Sequence, residues 1–151
     1  MSLTTQGLQI IKSYIDAHSG GSGGSGWTKV IDTDFDGQTV EWSAEVPEGT
    51  REILVFIKDA KINNNTSYGV LNLMVNGNIS VNRLGNIPNS TEDGSTHTVA
   101  LTLIGNRILW QDTDGSRWFN VSTESIQTVG VKDTYGGIYT MATGHLEVLV
   151  R

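Results

Sequence analysis

Apolar and polar residues alternate from Thr39 to Val46. Val40, Trp42, Ala44 and Val46 fall on one side, and Glu41, Ser43 and Glu45 on the other. A period of two predicts a strand with one buried face. Pro47-Glu48-Gly49-Thr50 then marks a turn. Glu52–Lys58 (EILVFIK) is a nearly unbroken apolar run, the pattern of a central strand buried on both sides. Val70–Val75 and Ile79–Val81 flank Asn76-Gly77, a strong two-residue hairpin signal. Thr98–Ile104 alternates Val99, Leu101 and Leu103 against Ala100, Thr102 and Ile104. Gly105-Asn106 turns the chain into Arg107–Trp110, and Asp114-Gly115 turns it again into Trp118–Val121. Ser125–Val131 and Ile138–Met141 carry weaker strand patterns, and Leu146–Val150 closes the chain as a core strand. About nine or ten short strands separated by turns predict an antiparallel sandwich or barrel. No helix of useful length is predicted after residue 27, and no internal repeat has a solenoid or propeller period.

The first residues obey a different rule. In MSLTTQGLQIIKSYIDAH, Leu8, Ile11 and Ile15 recur at helical spacing, with Thr4 or Thr5 as a cap. About ten helical residues are marginal alone in water, so the stripe predicts docking on its own domain, a sister subunit or a larger particle. Ile10 and Tyr14 widen the apolar face towards a second neighbour. Residues 19–26 (SGGSGGSG) read as a flexible linker with a reach of roughly 16 Å. The organisation is therefore an N-terminal helix (1–18), a linker (19–26) and a β-sandwich domain (27–151).

Composition narrows the partners. Charged residues make up 17% of the 151, below the usual ~25%, and Asn, Ser, Thr and Gly take their place. That mixture suits strands joined by many turns. The net charge is −6 and no run of Lys or Arg exists, which argues against nucleic acid and against anionic membranes. No apolar run is long enough for membrane insertion. Without cysteine, the chain has neither a disulfide framework nor a thiolate metal site.

Candidate chemistry is sparse. Asp32-Thr33-Asp34-Phe35-Asp36-Gly37 spells DxDxDG, and its alternate carboxylates suggest a hard cation such as calcium on Asp32, Asp34 and Asp36. The helix–loop–helix version of that site needs a bidentate Glu at the twelfth position, where this chain has Ser43. The competing reading is a polar turn between strands. Gln111–Gly115 is a second, weaker acidic turn. His18, His97 and His145 form no zinc spacing, and His145 reads as a solvent-facing residue just before a strand. Gly20–Gly24 matches GxSxG literally, but a flexible tether supplies neither the strand nor the helix of a nucleophile elbow. Glu41, Glu45 and Glu48 read as solvated carboxylates rather than a glycosidase pair. The chain is accordingly expected not to be an enzyme, with no cofactor. Aromatic residues carry more information. Trp110 and Trp118 flank an acidic turn and are expected to pair across a hairpin, as core or as a stacking platform. Tyr68 follows an asparagine-rich loop, and Tyr135 and Tyr139 lie in a glycine-rich one. Both loops have the character of adaptable binding surfaces.

Two stretches carry a resemblance. The opening LTTQGLQIIKSYIDAH resembles the N-terminal segment of bacteriophage tail-fibre and appendage proteins. Val46–Val55 and Thr143–Val150 resemble the jelly-roll modules at the ends of such fibres. The resemblance implies an all-β, jelly-roll-like sandwich displayed on a virion as a homotrimer. Residues 1–18 would then join other virion proteins, and the sandwich would bind a bacterial surface receptor, often a glycan, or decorate the particle. The alternative is a monomeric carbohydrate-binding module on a tether, which exposed Trp110 and Trp118 would favour. A hydrolase with a non-local triad is a further rival.

Overall fold

Edge strand β1 (Thr28–Asp34) is followed by β2 (Glu41–Glu45), β3 (Glu52–Ile62), β4 (Gly69–Val75) and β5 (Asn78–Ile87). Then come β6 (Ser95–Ile104), β7 (Arg107–Asp112), β8 (Gly115–Asn120), β9 (Thr128–Asp133) and β10 (Met141–Val150). The computed structural model describes residues 26–112, 115–121, 123–133 and 140–151. The predicted N-terminal helix, most of the linker, and Tyr135 and Tyr139 lie outside the described residues. All strand pairs are antiparallel, in a six-stranded sheet ordered β1-β10-β3-β6-β7-β8 and a four-stranded sheet ordered β2-β9-β4-β5. The pairs β1:β10, β2:β9, β3:β6 and β4:β5 are nested, and the β7–β8 hairpin extends the larger sheet beyond them.

Alternation builds the core. Ile53, Val55 and Ile57 of β3, Leu146, Val148 and Val150 of β10, and Val99, Leu101 and Leu103 of β6 point inward from the larger sheet. Leu71, Leu73, Val75, Val129 and Val131 meet them from the smaller one, giving one continuous apolar layer. Each such side chain contributes about 1.5–3 kcal/mol when fully buried, so the two sheets close as a sandwich. Trp42 and Ala44 of β2, with Val46 just after it, pack on this core, the face the alternation assigns to them. Phe35 meets Trp42 edge-on at 5.1 Å. Asn76 (φ 51°) and Gly77 (φ 79°) both take the left-handed conformation of a tight hairpin between β4 and β5.

Three strands exceed their sequence patterns because bulges interrupt the period. In β1 the register shifts between Lys29 and Ile31, so adjacent Val30 and Ile31 break the alternation. β10 begins at Met141 and crosses two register shifts before His145, whereas the sequence pattern places the core strand only from Leu146. β5 continues through Asn82-Arg83-Leu84-Gly85-Asn86-Ile87, with Leu84 and Ile87 buried. Gly85 is needed there, because a Cβ would come within 2.6 Å of the His97 ring.

The sandwich has two distinct ends. Trp27 precedes β1 at the end where the main-chain nitrogens of Arg51 and Glu52 donate to the Arg151 oxygen at 2.9 Å. Residues 46–51, Val121 and residues 123–127 gather at this end, tied by Val46 N donating to Gln127 O (3.0 Å) and Val121 N to Asn106 O (2.9 Å). At the opposite end, Gly37 N donates to Met141 O (2.9 Å), Asn63 N to Thr140 O (3.0 Å) and Ser90 N to Asn64 O (2.7 Å). Loops 35–40, 63–68 and 88–94 and residue 140 therefore form one surface, as far from the tether as the strands allow.

Candidate functional site

β1 and β10 place four titratable side chains together on the outer face of the six-stranded sheet. Register sets Asp34 opposite His145 and Asp32 opposite Glu147. The His145 ring lies between two carboxylates, with Nδ1 at 2.6 Å from Asp34 Oδ1 and Nε2 at 2.7 Å from Asp32 Oδ1. Two acceptors on two ring nitrogens suit the doubly protonated imidazolium. The Asp34 hydrogen bond, aided by Asp32 and opposed by partial burial, raises the His145 pKa. Lys29 Nζ reaches Asp32 at 3.1 Å and Glu147 at 3.5 Å. Hydrogen bonds from Lys29 and then His145 lower the Asp32 pKa.

Asp36 does not join this group. Its carboxylate accepts from Gln38 N (2.9 Å), Thr39 N (2.7 Å) and Thr39 Oγ1 (2.6 Å), closing its own turn. Those bonds, the Thr39 hydroxyl first, hold its pKa at about 2. Asp32 and Asp34 of the expected Asp32–Asp34–Asp36 cation set thus lie together beside His145, while Asp36 is turned into its own loop. Asp32, His145 and Glu147 bring ligand atoms within 4.8 Å of one another. An imidazole among carboxylates suits zinc-like ions better than calcium, and would first have to lose a proton.

Beside this cluster an open, shallow cleft of about 550 Å³ lies on the surface across the adjoining ends of β1, β10 and β3, lined by Asp34, Lys58, Asp59, Thr143 and His145. Irregularities in β3 and β10 adjoin it. Asp59 has φ 50° and Gly144 φ 116°, and a Cβ on Gly144 would meet Ala60 Cα at 2.7 Å and the Lys58 oxygen at 2.8 Å. Only glycine lets the two backbones approach this closely. Charged and hydroxyl groups on an open cleft provide donors and acceptors for a polyhydroxylated ligand.

Further out on the distal end, three loops are each folded by a side chain that mimics a turn: Asp36, Asn64 and Asn89. Asn64 Oδ1 accepts from Thr66 N at 2.8 Å and Ser67 N at 2.9 Å. Glu92 Oε1 accepts from Tyr68 Oη and Asn89 Nδ2, both at 3.1 Å, joining loops 63–68 and 88–94. Tyr68 is 54% exposed, so much of its ring meets solvent on a loop pair tied together by hydrogen bonds. The Glu92 bond raises its pKa.

The two tryptophans do not pair. A two-residue connection between Asp112 and Gly115 sets Trp110 opposite Arg117 and Trp118 opposite Leu109, so the indoles point to opposite faces of the hairpin. Trp110 is 4% exposed and stacks on Phe119 at 5.5 Å in the core. Trp118 is 46% exposed on the outer face, with the Arg107 guanidinium 4.5 Å from its ring centre. The pair offers no joint stacking platform, though Trp118 alone offers one.

Sequence reasoning missed His145, Glu147, Lys58, Asp59 and Glu92. The first two lie more than a hundred positions from Asp32, and only the pairing of first and last strands brings them there. No family model, curated protein or solved structure matches this chain.

Proposed function

We propose that this chain is a bacteriophage virion appendage whose β-sandwich binds a bacterial surface glycan through its distal end and the adjoining β1–β10 cleft. The observation that carries this reading is polarity. The tether enters beside Trp27 and Arg151, and the ordered loops with Tyr68, Glu92 and Asn63 lie at the other end. A domain hung from a particle by its N-terminus presents that end outward. The nested strand pairs β1:β10, β2:β9, β3:β6 and β4:β5 support a jelly roll with one added hairpin. Asp34, Asp59 and His145 supply hydroxyl-binding groups in the cleft, and Tyr68 supplies a stacking face. Attachment through residues 1–18 as a helix, trimeric assembly and the absence of catalysis belong to the same reading.

Labelled full-length chain should bind an array of bacterial surface polysaccharides, and Tyr68→Ala or Asp34→Ala should weaken that binding at least about tenfold. Binding to no polysaccharide and to no bacterial cell would overturn the reading. One observation favours a second reading, a tethered carbohydrate-binding module: Trp118 stands exposed beside Arg107 on the β8 edge. Loss of binding in Trp118→Ala alone would select it.

A further inference from the structure

The outer face of an antiparallel sheet that meets water should be polar. On the six-stranded sheet one patch is not. Leu54, Phe56 and Leu149 point away from the sandwich core and form their own buried cluster, at 0%, 9% and 2% exposure. Register aligns Leu149, Leu54 and Ala100 in one row across the three central strands, with Phe56 in the next. The described residues packed on this cluster are Trp27 and Ala100. Arg151 lies over the Trp27 ring at 4.4 Å and bonds Glu52 at 2.6 Å, fixing the indole at the patch margin. Trp27 is also where the linker joins the domain, so the patch sits at the chain's own point of entry.

We propose that residues 1–18 fold back over this face and seat Leu8, Ile11 and Ile15 on Leu54, Phe56 and Leu149. Three features select this occupant. The linker's roughly 16 Å reach brings the segment over the patch without strain. The stripe from Leu8 to Ile15 is about 10 Å long at helical rise, and three strands spaced at about 4.8 Å present a row of the same length. A short helix that is marginal in water needs an apolar surface, and a nearly fully buried apolar cluster needs a cover. Ile10 and Tyr14, about 90–130° round the helix from the stripe, stay free for a neighbouring subunit or a particle. The segment thus becomes a bridge between sandwich and neighbour. This inference stands apart from the glycan reading and survives its failure.

The chain has no cysteine, which makes crosslinking clean. Ile11→Cys combined with Ala100→Cys should oxidise to an intrachain disulfide at least about tenfold faster than Ile11→Cys with Glu41→Cys, whose second site lies on the other sheet. Equal rates, or a covalent dimer in place of the intrachain product, would overturn the proposal, the dimer assigning the patch to a second copy. The triple variant Leu8→Ser, Ile11→Ser, Ile15→Ser leaves the sandwich sequence intact. It should lower Tm by at least about 3 °C and raise binding of an apolar dye. An unchanged Tm and unchanged dye binding would equally reject the idea.

Discussion

The two edges of the six-stranded sheet manage the same hazard with opposite chemistry. An edge strand offers unpaired backbone groups to any other strand, and charged side chains discourage that. β1 carries Lys29, Asp32 and Asp34 and draws His145 and Glu147 into an ionic cluster with a cleft beside it. The β7–β8 hairpin carries arginine on aromatic faces, one pair on each side: Arg107 of β7 over Trp118 of β8 at 4.5 Å on the outer face, and Arg117 of β8 over the buried Trp110 of β7 at 5.1 Å on the inner face. The first edge has directional hydrogen-bonding groups around a hollow, while the second exposes a single indole, Trp118, under one guanidinium. Edge protection alone needs neither the cleft nor the Gly144 bulge, and this difference marks the β1 edge as the better ligand site.

The comparison breaks most sharply in the core beneath β8. Trp110→Ala removes a buried indole and should cost about 3–5 kcal/mol, whereas Trp118→Ala should cost under about 1 kcal/mol. Urea unfolding of both variants would check this, and equal costs would mean that the hairpin register is wrong. Next in size is Gly144→Ala. A Cβ pressed against Ala60 at a positive φ should destabilise by about 2–3 kcal/mol and narrow the cleft. A neutral result in the same assay would remove the bulge as the cleft's support.

Smaller effects come from the ionic cluster. The raised His145 pKa makes its charged form stabilising below the unfolded value of 6.5, and this contribution fades as pH rises through the folded value. Asp32 acts in reverse: its lowered pKa stabilises above 3.8, and the contribution is lost as pH falls through the folded value. Wild-type Tm should therefore decline from pH 6 to pH 9 relative to His145→Ala, and parallel curves would dissolve the cluster as an electrostatic unit. In an NMR titration the His145 midpoint should lie above 6.5 and move down in Asp34→Asn.

Much of the fold was legible in the chain. The Asn76-Gly77 hairpin, the doubly buried β3 and the alternation of β6 follow from local pattern, because the period of two is intact there. β1 and the start of β10 were not legible, because bulges at Lys29–Ile31 and around Gly144 break that period. The same bulges adjoin the site, so its cleft was the least readable part. Asp32 and Asp34 were identified from DxDxDG, but the motif's third carboxylate folds its own turn. The side chains the fold sets beside them, His145 and Glu147, are brought there by pairing of β1 with β10, which no local spacing reports. Trp118 and Trp110 illustrate the parity problem: one residue of register decides which indole meets water.

The central claim is that the end remote from the tether, with the β1–β10 cleft, recognises a glycan. Backbone amide shifts of isotope-labelled full-length chain, followed during titration with bacterial surface polysaccharide, test it most directly. Perturbations concentrated at Asp34, Asp59, Tyr68, Glu92 and His145 are predicted. Perturbations confined to Trp118 and Arg107 or to the tether end, or no perturbation with any polysaccharide, would contradict it.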